Sequence, residues 1–352
     1  MSKEPPKSTE GSELQIRREA GLAKLPNGNS SALSEIVRRS LIHIQTSKAL
    51  GARHRIGEYE ILGPDYRLVC AWAEQLQLTR EEVLTSLLTP GAESWRNWDT
   101  CLLNGRFKSL RVPEKILPIY SIPNIAGLVV ETLSLELEND FSNLSLSSFP
   151  NLKKLCCRVT ELRNLDLSGA PLLTELLCDC NRLKGLDLST VPFLSVLWCD
   201  SNGLSNLDLS GVPLLTELRC GSNRLESLDL SAVPRLTTLS CGCHQLAELD
   251  LTSVPHLTKL SIAHRNAFFG HGNRAKPLKL DLSPVPLLNE LCCTDAELTE
   301  LDLSAVPLLL ELKCASNHLL TKLDISPLKY LSRLEYDQDK VVLIQRPDQN
   351  FR

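Results

Sequence analysis

Three residues with the chemistry of a thiol nucleophile occupy one position of a repeated pattern: Cys243, His264 and Asp295. A cysteine thiolate attacks, an imidazole takes its proton and a carboxylate orients the imidazole, so this set holds the ingredients of covalent catalysis. If successive copies of the pattern stack in register, the three side chains lie about 5 Å apart, the spacing of neighbouring strands. With His244 or His271, the same residues would also offer enough donors for zinc.

Other copies of the pattern argue against this chemistry. The same position holds residues that form no such set elsewhere, namely Val159, Cys180, Ser201, Ser222 and Ser316. A flat sheet also provides no deep pocket and no oxyanion donor. We therefore predict no catalytic activity, no metal and no cofactor, and keep a thiol enzyme or metal site at Cys243, His264 and Asp295 as the alternative.

The elements that would position these residues are copies of a 21-residue unit. The phrase Leu-Asp-Leu-Ser, or a variant with one change, begins at Leu165, Leu186, Leu207, Leu228, Leu249, Leu280, Leu301 and Leu323. The step from Leu249 to Leu280 is longer than the others because of an insertion near residues 265–275. About nine copies occupy the chain between Val130 and Leu331, and such regularity is the signature of a repeat architecture.

The unit reads L-x-x-L-x-C-x-x-N-x-L-x-x-L-D-L-S-x-V-P-x, and its first half is similar to the leucine-rich repeat pattern. The chain resembles the short bacterial subtype of that family, in which the variable half also carries L-x-x-L-D-L. The resemblance implies a mainly β solenoid of the α/β type: a right-handed coil with a parallel sheet on its concave face and a helical N-terminal cap or domain. It also implies a protein-binding scaffold.

Three columns of the unit, meaning residues at one position in successive copies, have predicted structural roles. Cysteine recurs at Cys157, Cys178, Cys199, Cys220, Cys241, Cys293 and Cys314, and Ile262 replaces it once, so this column should face the core, a metal or redox ladder being the alternative. The resemblance implies that Asn181, Asn202, Asn223 and Asn317 hydrogen-bond the backbone of a bend. The aspartates from Asp166 to Asp324 should cap turns or face solvent, because no glycine-rich calcium loops surround them.

A candidate binding surface lies on the solvent side of the predicted strands. Leu177, Val196 and Trp198 are apolar there, and Arg219 stands beside them. Exposed tryptophan and arginine are enriched at interface hot spots, so we predict that these four residues contact a partner protein. Coverage by the N-terminal domain is the alternative. In the insertion, Phe268 and Phe269 are a second candidate contact, unless that loop folds back onto the coil.

Composition indicates which class of partner and which cellular compartment to expect. The net charge of −4 and the lack of a long basic run indicate no nucleic-acid partner. The first residues lack the apolar segment of a signal peptide, and no apolar run is long enough to predict a membrane span. Thirteen cysteines, mostly in one column, do not resemble a secreted disulfide framework. We expect a cytoplasmic protein, although one delivered by a specialised secretion system would look the same.

Four segments are predicted: a disordered tail over 1–30, a mainly helical cap or adaptor domain over 31–129, the solenoid over 130–345, and a tail over 346–352. Helices are expected over Leu33–Ile42, over DYRLVCAWAEQLQL, and over LTREEVLTSLL with Thr79 and Glu82 as a capping box. KVVLIQ is expected to be the final strand. An alternative function is a bacterial effector or adaptor, in which the helical domain acts and the repeats select the target.

Overall fold

The computed structural model describes residues 53–88, 101–103, 106–112, 128–135, 143–158, 161–242, 246, 248–263 and 278–349. The tail over 1–30 and the helix expected over Leu33–Ile42 lie outside these residues. So do the insertion near 265–275 and the last residues of the predicted C-terminal tail.

The described chain begins with a hairpin and two helices. Strands β1 (Arg53–Ile56) and β2 (Tyr59–Leu62) pair in antiparallel fashion around Gly57, whose φ of +56° suits a residue without a side chain. Helix α1 (Gly63–Leu76) follows, with Pro64 in its first turn, where a missing N–H costs nothing. It buries Leu68 and Trp72 on one face, as the periodicity predicts.

The capping box predicted for the next helix, α2 (Arg80–Leu88), is confirmed. The backbone N–H of Glu82 donates to Thr79 Oγ1 at 3.2 Å, and the N–H of Thr79 donates to Glu82 Oε2 at 2.7 Å. These bonds satisfy two amide donors that a helix start leaves unpaired. Farther along the chain, the N–H of Phe107 donates to the buried Asp65 Oδ1 at 2.9 Å, which joins α1 to the following strands.

The remaining elements are short strands separated by turns. In chain order they are β3 (Cys101–Leu103), β4 (Arg106–Val112), β5 (Thr132–Leu135), β6 (Asn143–Ser145), β7 (Lys154–Cys156), β8 (Asn164–Asp166), β9 (Glu175–Leu177), β10 (Val196–Trp198), β11 (Glu217–Arg219), β12 (Thr238–Ser240), β13 (Glu248–Leu249), β14 (Lys259–Ser261), β15 (Lys279–Leu280), β16 (Glu290–Cys292), β17 (Glu311–Lys313), β18 (Lys322–Asp324), β19 (Arg333–Glu335) and β20 (Val342–Ile344).

Twelve of these strands form one sheet, here called the large sheet, in the order β19-β17-β16-β14-β12-β11-β10-β9-β7-β5-β4-β3. Its pairs from β4 to β19 are parallel and in register, while β3 runs antiparallel to β4. Shorter parallel pairs, such as β18 with β20, form on the opposite side of the coil. The predicted coil of stacked units with a parallel sheet, and the final strand at Val342–Ile344, are thus confirmed. The large sheet begins at β3 and its parallel pairing at β4, so both strands lie inside the segment assigned by sequence to the 31–129 domain.

The cysteine column faces the core, as predicted. Cys157, Cys178, Cys199, Cys220 and Cys293 are fully buried, and Ile262 fills the same position with 2% exposure. They lie beside the central leucines of the strands, such as Leu197 and Leu218, which pair in register. Burial raises the pKa of Cys314 to about 12 and holds the pKa of the Cys157, Cys178 and Cys293 thiols well above their ordinary value.

The asparagine column forms the expected backbone ladder. Asn202 Oδ1 accepts the N–H of Leu183 at 3.0 Å, while its Nδ2 donates to the carbonyls of Cys178 at 3.0 Å and Cys199 at 3.1 Å. Asn181, Asn223 and Asn317 repeat this arrangement. Because these backbone groups are buried, the side-chain amide takes the place of water as their partner.

The aspartate column caps turns, as predicted. In each copy the carboxylate Oδ1 accepts the backbone N–H two residues later, for example from Ser210 to Asp208 and from Ser231 to Asp229, at 2.8–2.9 Å. This is the Asx turn, which the side chain closes in place of the backbone. The hydrogen bond from the backbone N–H of the serine two residues later lowers the pKa of Asp208 and Asp229.

Candidate binding surface on the large sheet

Strand register fixes which side chains share the solvent-facing side of the large sheet. Val196 pairs with Glu217 and Trp198 pairs with Arg219, while Leu177 pairs with Trp198 from the other side. All four residues of the predicted contact therefore lie on two adjacent columns, as the sequence indicates. The structure places them together in strands β9, β10 and β11.

The prediction that Trp198 and Leu177 are exposed is wrong. Trp198 is 5% exposed and Leu177 is 1% exposed, whereas Val196 and Arg219 are half-buried. For Trp198 the physical reason is a side chain of the next strand, because the Cζ atom of Arg219 lies 3.8 Å from the centroid of the Trp198 ring. The guanidinium covers the indole that the alternation pattern leaves open to solvent.

A carboxylate fixes this stack. Glu217 Oε1 accepts a hydrogen bond from Trp198 Nε1 at 2.7 Å and another from Arg219 Nε at 3.1 Å. A cation over an indole contributes about 0.5–2 kcal/mol, depending on how far it is removed from water. We refer to Trp198, Glu217 and Arg219 as the Trp–Arg clamp. The Arg219 guanidinium is thus held both by the indole face and by the Glu217 carboxylate.

A buried ion pair lies next to the clamp, at the ends of the preceding strands. Arg158 Nε lies 2.6 Å from Asp179 Oδ2, and the Asp179 side chain is only 6% exposed. Burial raises the pKa of Asp179, and the charge of Arg158 opposes that rise. On the next strand, Asp200 Oδ1 accepts the N–H of Gly221 at 2.5 Å. Asp179 Oδ2 and Asp200 Oδ1 thus have partners within the sheet.

Small side chains follow Arg219 in its own column on the next two strands. Ser240 of β12 and Ser261 of β14 occupy that column, and Gly242 and Ala263 follow them along the chain, whereas the neighbouring column holds Thr238 and then Lys259. A Cβ atom at Gly242 would collide with the carbonyl oxygen of Ala263, so the backbones leave no room for a larger residue there. The large guanidinium of Arg219 therefore borders a low part of the surface.

Charged residues elsewhere on this side are paired across strands. Lys154 Nζ lies 2.6 Å from Glu175 Oε1, and Lys259 Nζ lies 2.6 Å from Glu290 Oε1. Glu311 contacts Lys313 at 2.7 Å within its own strand, and the hydrogen bond from Lys313 lowers the pKa of Glu311. The surface thus carries both signs side by side, which favours a partner of mixed charge over a polyanion.

The alternative thiol site has only one described member. Asp295 is half-buried with a φ of +57°, while Cys243, His264, His244 and His271 lie outside the described residues. Phe268 and Phe269, the second predicted contact, also lie outside them. Among the residues that the structure does describe, no three potential ligands gather into a metal site, and no helix is long and apolar enough to cross a membrane.

Sequence reasoning missed the Trp–Arg clamp, although its ingredients were visible. Glu217 and Arg219 follow Val196 and Trp198 by one repeat, so register alone places both charged side chains beside the indole. The pattern does not specify which way a long side chain turns. That direction decides whether the tryptophan is open or covered.

Comparison with known proteins gives similarity in structure only. No protein-family model matches the chain, and no curated protein does. The functional domain of InlJ from Listeria monocytogenes, described as including a cysteine ladder, is 29% identical with a TM-score of 0.44, over 60% of this chain and 49% of that one. The leucine-rich effector protein YopM from Yersinia pestis is 19% identical with a TM-score of 0.47, over 80% of this chain and 87% of that one.

A leucine-rich repeat protein from Leptospira interrogans is 16% identical with a TM-score of 0.41, over 60% of this chain and 57% of that one. The chain thus spans about half of the InlJ structure and less than two thirds of the Leptospira one.

Proposed function

Because the chain is a leucine-rich repeat solenoid of 21-residue units, we propose that it is a non-catalytic scaffold that binds another protein on the concave face of its large sheet. The observation that carries this proposal is the Trp–Arg clamp. Arginine and tryptophan are the residue types most enriched where interfaces gain their binding energy. Here Glu217 orders both before a partner arrives, which lowers the entropic cost of binding.

The residues proposed to contact the partner are Arg219, Val196 and the edge of Trp198, with Leu177 as their buried support. Phe268 and Phe269 remain the proposed second contact. The guanidinium of Arg219 would meet a carboxylate or carbonyl of the partner, and the low surface beyond it would receive a projecting side chain. Mixed surface charge and the absence of a long basic run support a protein partner over a nucleic acid.

We further propose that the N-terminal helices cap the coil, since Asp65 of α1 bonds the strand that starts its parallel pairing. The described cysteines are free thiols, which suits the reducing conditions of a cytoplasm. A bacterial origin is a proposal that rests on the form of the repeat.

A pull-down from native lysate tests the function. Arg219→Ala removes the guanidinium while the core stays intact, and Arg224→Ala is the matched control, an exposed arginine of the same repeat that lies off the large sheet. We expect one protein to be retained by the wild type and by Arg224→Ala and lost by Arg219→Ala. Equal retention by all three folded proteins would contradict a binding site at the clamp.

A further inference from the structure

Within the part of the chain that the structure describes, the last two strands belong to different sheets, and each is hydrogen-bonded to a neighbour on one side only. Strand β19 is the last strand of the large sheet, and β20 pairs only with β18. We call the surface formed by β19, β20 and Tyr330 the open edge. Its apolar residues are less covered than their counterparts: Leu334 and Leu343 are half-buried, whereas Leu312 and Leu323, their partners in register, are fully buried.

Apolar side chains are concentrated at this edge. Val342 is 66% exposed and Tyr330 is 59% exposed, the highest values among the large hydrophobic residues of the described chain. Exposed apolar surface beside an unpaired strand favours association, because both the side chains and the backbone then gain partners.

In β19, the backbone groups of the central residue point away from the coil. The N–H of Arg333 donates to Leu310 O at 3.1 Å, and Glu335 O accepts the N–H of Cys314 at 2.8 Å, so both residues turn toward β17. Backbone groups alternate along a strand, so the N–H and C=O of Leu334 between them face outward.

Strand β20 repeats this arrangement. The N–H of Val342 donates to Thr321 O at 2.9 Å, and Ile344 O accepts the N–H of Ile325 at 2.8 Å. The N–H and C=O of Leu343 therefore face outward as well. Each terminal strand offers one donor and one acceptor at its central residue.

The charge pattern of β19 favours a second copy of this chain as the partner of the open edge. Its sequence is Arg333, Leu334, Glu335, with one charge of each sign placed symmetrically about the leucine. When such a strand pairs in antiparallel fashion with its own copy, Leu334 meets Leu334, and each Arg333 meets the Glu335 of the other copy. Glu335 makes no ion pair within the described residues, and Arg333 reaches Glu311 only at 3.3 Å and is 69% exposed.

A single two-fold axis can pair both strands with their own copies. An axis that runs across the coil, from β19 to β20, reverses strand direction and leaves each strand on its own side. It therefore pairs β19 with β19 and β20 with β20 at the same time, and the outward N–H and C=O of each central leucine bond their counterparts. Val342 of one copy then meets Ile344 of the other, which covers the most exposed apolar residue.

We propose that the open edge is the interface of a symmetric homodimer, in which two copies join end to end by antiparallel pairing of β19 and of β20. Two-fold interfaces of this self-complementary kind are the commonest in homo-oligomers. The large sheets of the two copies become one continuous sheet, so the two Trp–Arg clamps face the same side.

Sedimentation velocity of the full chain over about 1–100 μM tests the proposal, because mass action makes dimer formation depend on concentration. We expect reversible monomer–dimer exchange. Arg333→Glu and Glu335→Arg each place two like-charged pairs at the interface and should weaken dimerisation about tenfold. The double variant restores both pairs with their signs exchanged and should recover the wild-type affinity. Lys329→Glu, an exposed change off the two strands, is the matched control.

Amide hydrogen exchange provides a measurement without substitutions. Peptides that contain the N–H groups of Leu334 and Leu343 should exchange more slowly as concentration rises, while those of β10 and β11 should not change. A monomer at every concentration would overturn the proposal. A dimer that survives both single reversals, a double variant that fails to recover, or unchanged exchange at both leucines would also overturn it.

Discussion

Replacing an asparagine of the ladder should destabilise the coil by an amount that depends on its neighbours. Asn202 Oδ1 accepts the N–H of Leu183, and its Nδ2 donates to the carbonyls of Cys178 and Cys199 and, at 3.2 Å, to that of Asp200, which also accepts the N–H of Cys180. The two carbonyls of the cysteine column decide the cost. Both carbonyls keep a second ladder partner in Asn202→Ala, because Asn181 also donates to Cys178 O and Asn223 also donates to Cys199 O. Only the N–H of Leu183 loses its side-chain partner entirely. An orphaned buried donor costs about 1–3 kcal/mol, and the two shared bonds add less, so we expect a loss of about 2–3 kcal/mol.

Asn317 lies where the asparagine ladder is interrupted, so Asn317→Ala should lower the free energy of unfolding more than Asn202→Ala does. Its Oδ1 accepts two N–H groups, those of Ala296 at 3.2 Å and Leu298 at 3.1 Å. Its Nδ2 donates to the carbonyls of Cys293 and Cys314, each at 2.8 Å. Alanine already occupies position 296, so no neighbouring asparagine shares the carbonyl of Cys293. Two orphaned donors place the cost of Asn317→Ala at about twice that of Asn202→Ala.

Urea unfolding followed by circular dichroism measures both free energies of unfolding. Asn206→Ala is the control, since Asn206 is exposed and outside the ladder, and it should stay within about 0.5 kcal/mol of the wild type. Equal losses for Asn202→Ala and Asn317→Ala, or a loss for Asn202→Ala no larger than the control's, would refute the reasoning from shared carbonyls.

Three further predictions concern other columns of the repeat. Ser222 has a φ of +52°, so Ser222→Val should lower the free energy of unfolding by about 1–2 kcal/mol and Ser222→Gly should not, by the same urea assay. Hydrogen bonds lower the pKa of Asp187, Asp208, Asp229, Asp250, Asp281, Asp302 and Asp324 below the ordinary value of 3.8. The stability that these carboxylates contribute is therefore complete above pH 3.8 and is lost as the pH falls through the lowered pKa values. The midpoint of thermal unfolding should drop steeply below about pH 4. A midpoint that does not change with pH in that range would contradict the Asx turns. Burial raises the pKa of Cys157, Cys178, Cys293 and Cys314, so iodoacetamide at pH 7 should label these thiols, by peptide mass spectrometry, only after unfolding, and rapid labelling of the folded chain would count against a packed core column.

The sequence predicted correctly the features that recur at a fixed position of every repeat. Cysteine that exchanges once with isoleucine must face the core, and an aspartate two residues before a serine or threonine N–H closes a turn in every copy. The start of the parallel pairing at β4 was not predicted, because the β4 segment RFKSLRV lies outside the register of the units. The covering of Trp198 was not predicted either, since it depends on the rotamer of Arg219 and on the bridging carboxylate of Glu217.

Site-specific photo-cross-linking tests the proposed binding face most directly. A photoreactive residue at Val196 lies on the large sheet beside the Trp–Arg clamp, whereas one at Arg224 lies off that sheet in the following repeat. In native lysate, the position-196 probe should cross-link one protein, the position-224 probe should not, and Arg219→Ala should abolish the product. Cross-linking of the same protein from position 224 alone, or equally from both positions, would contradict binding on the concave face.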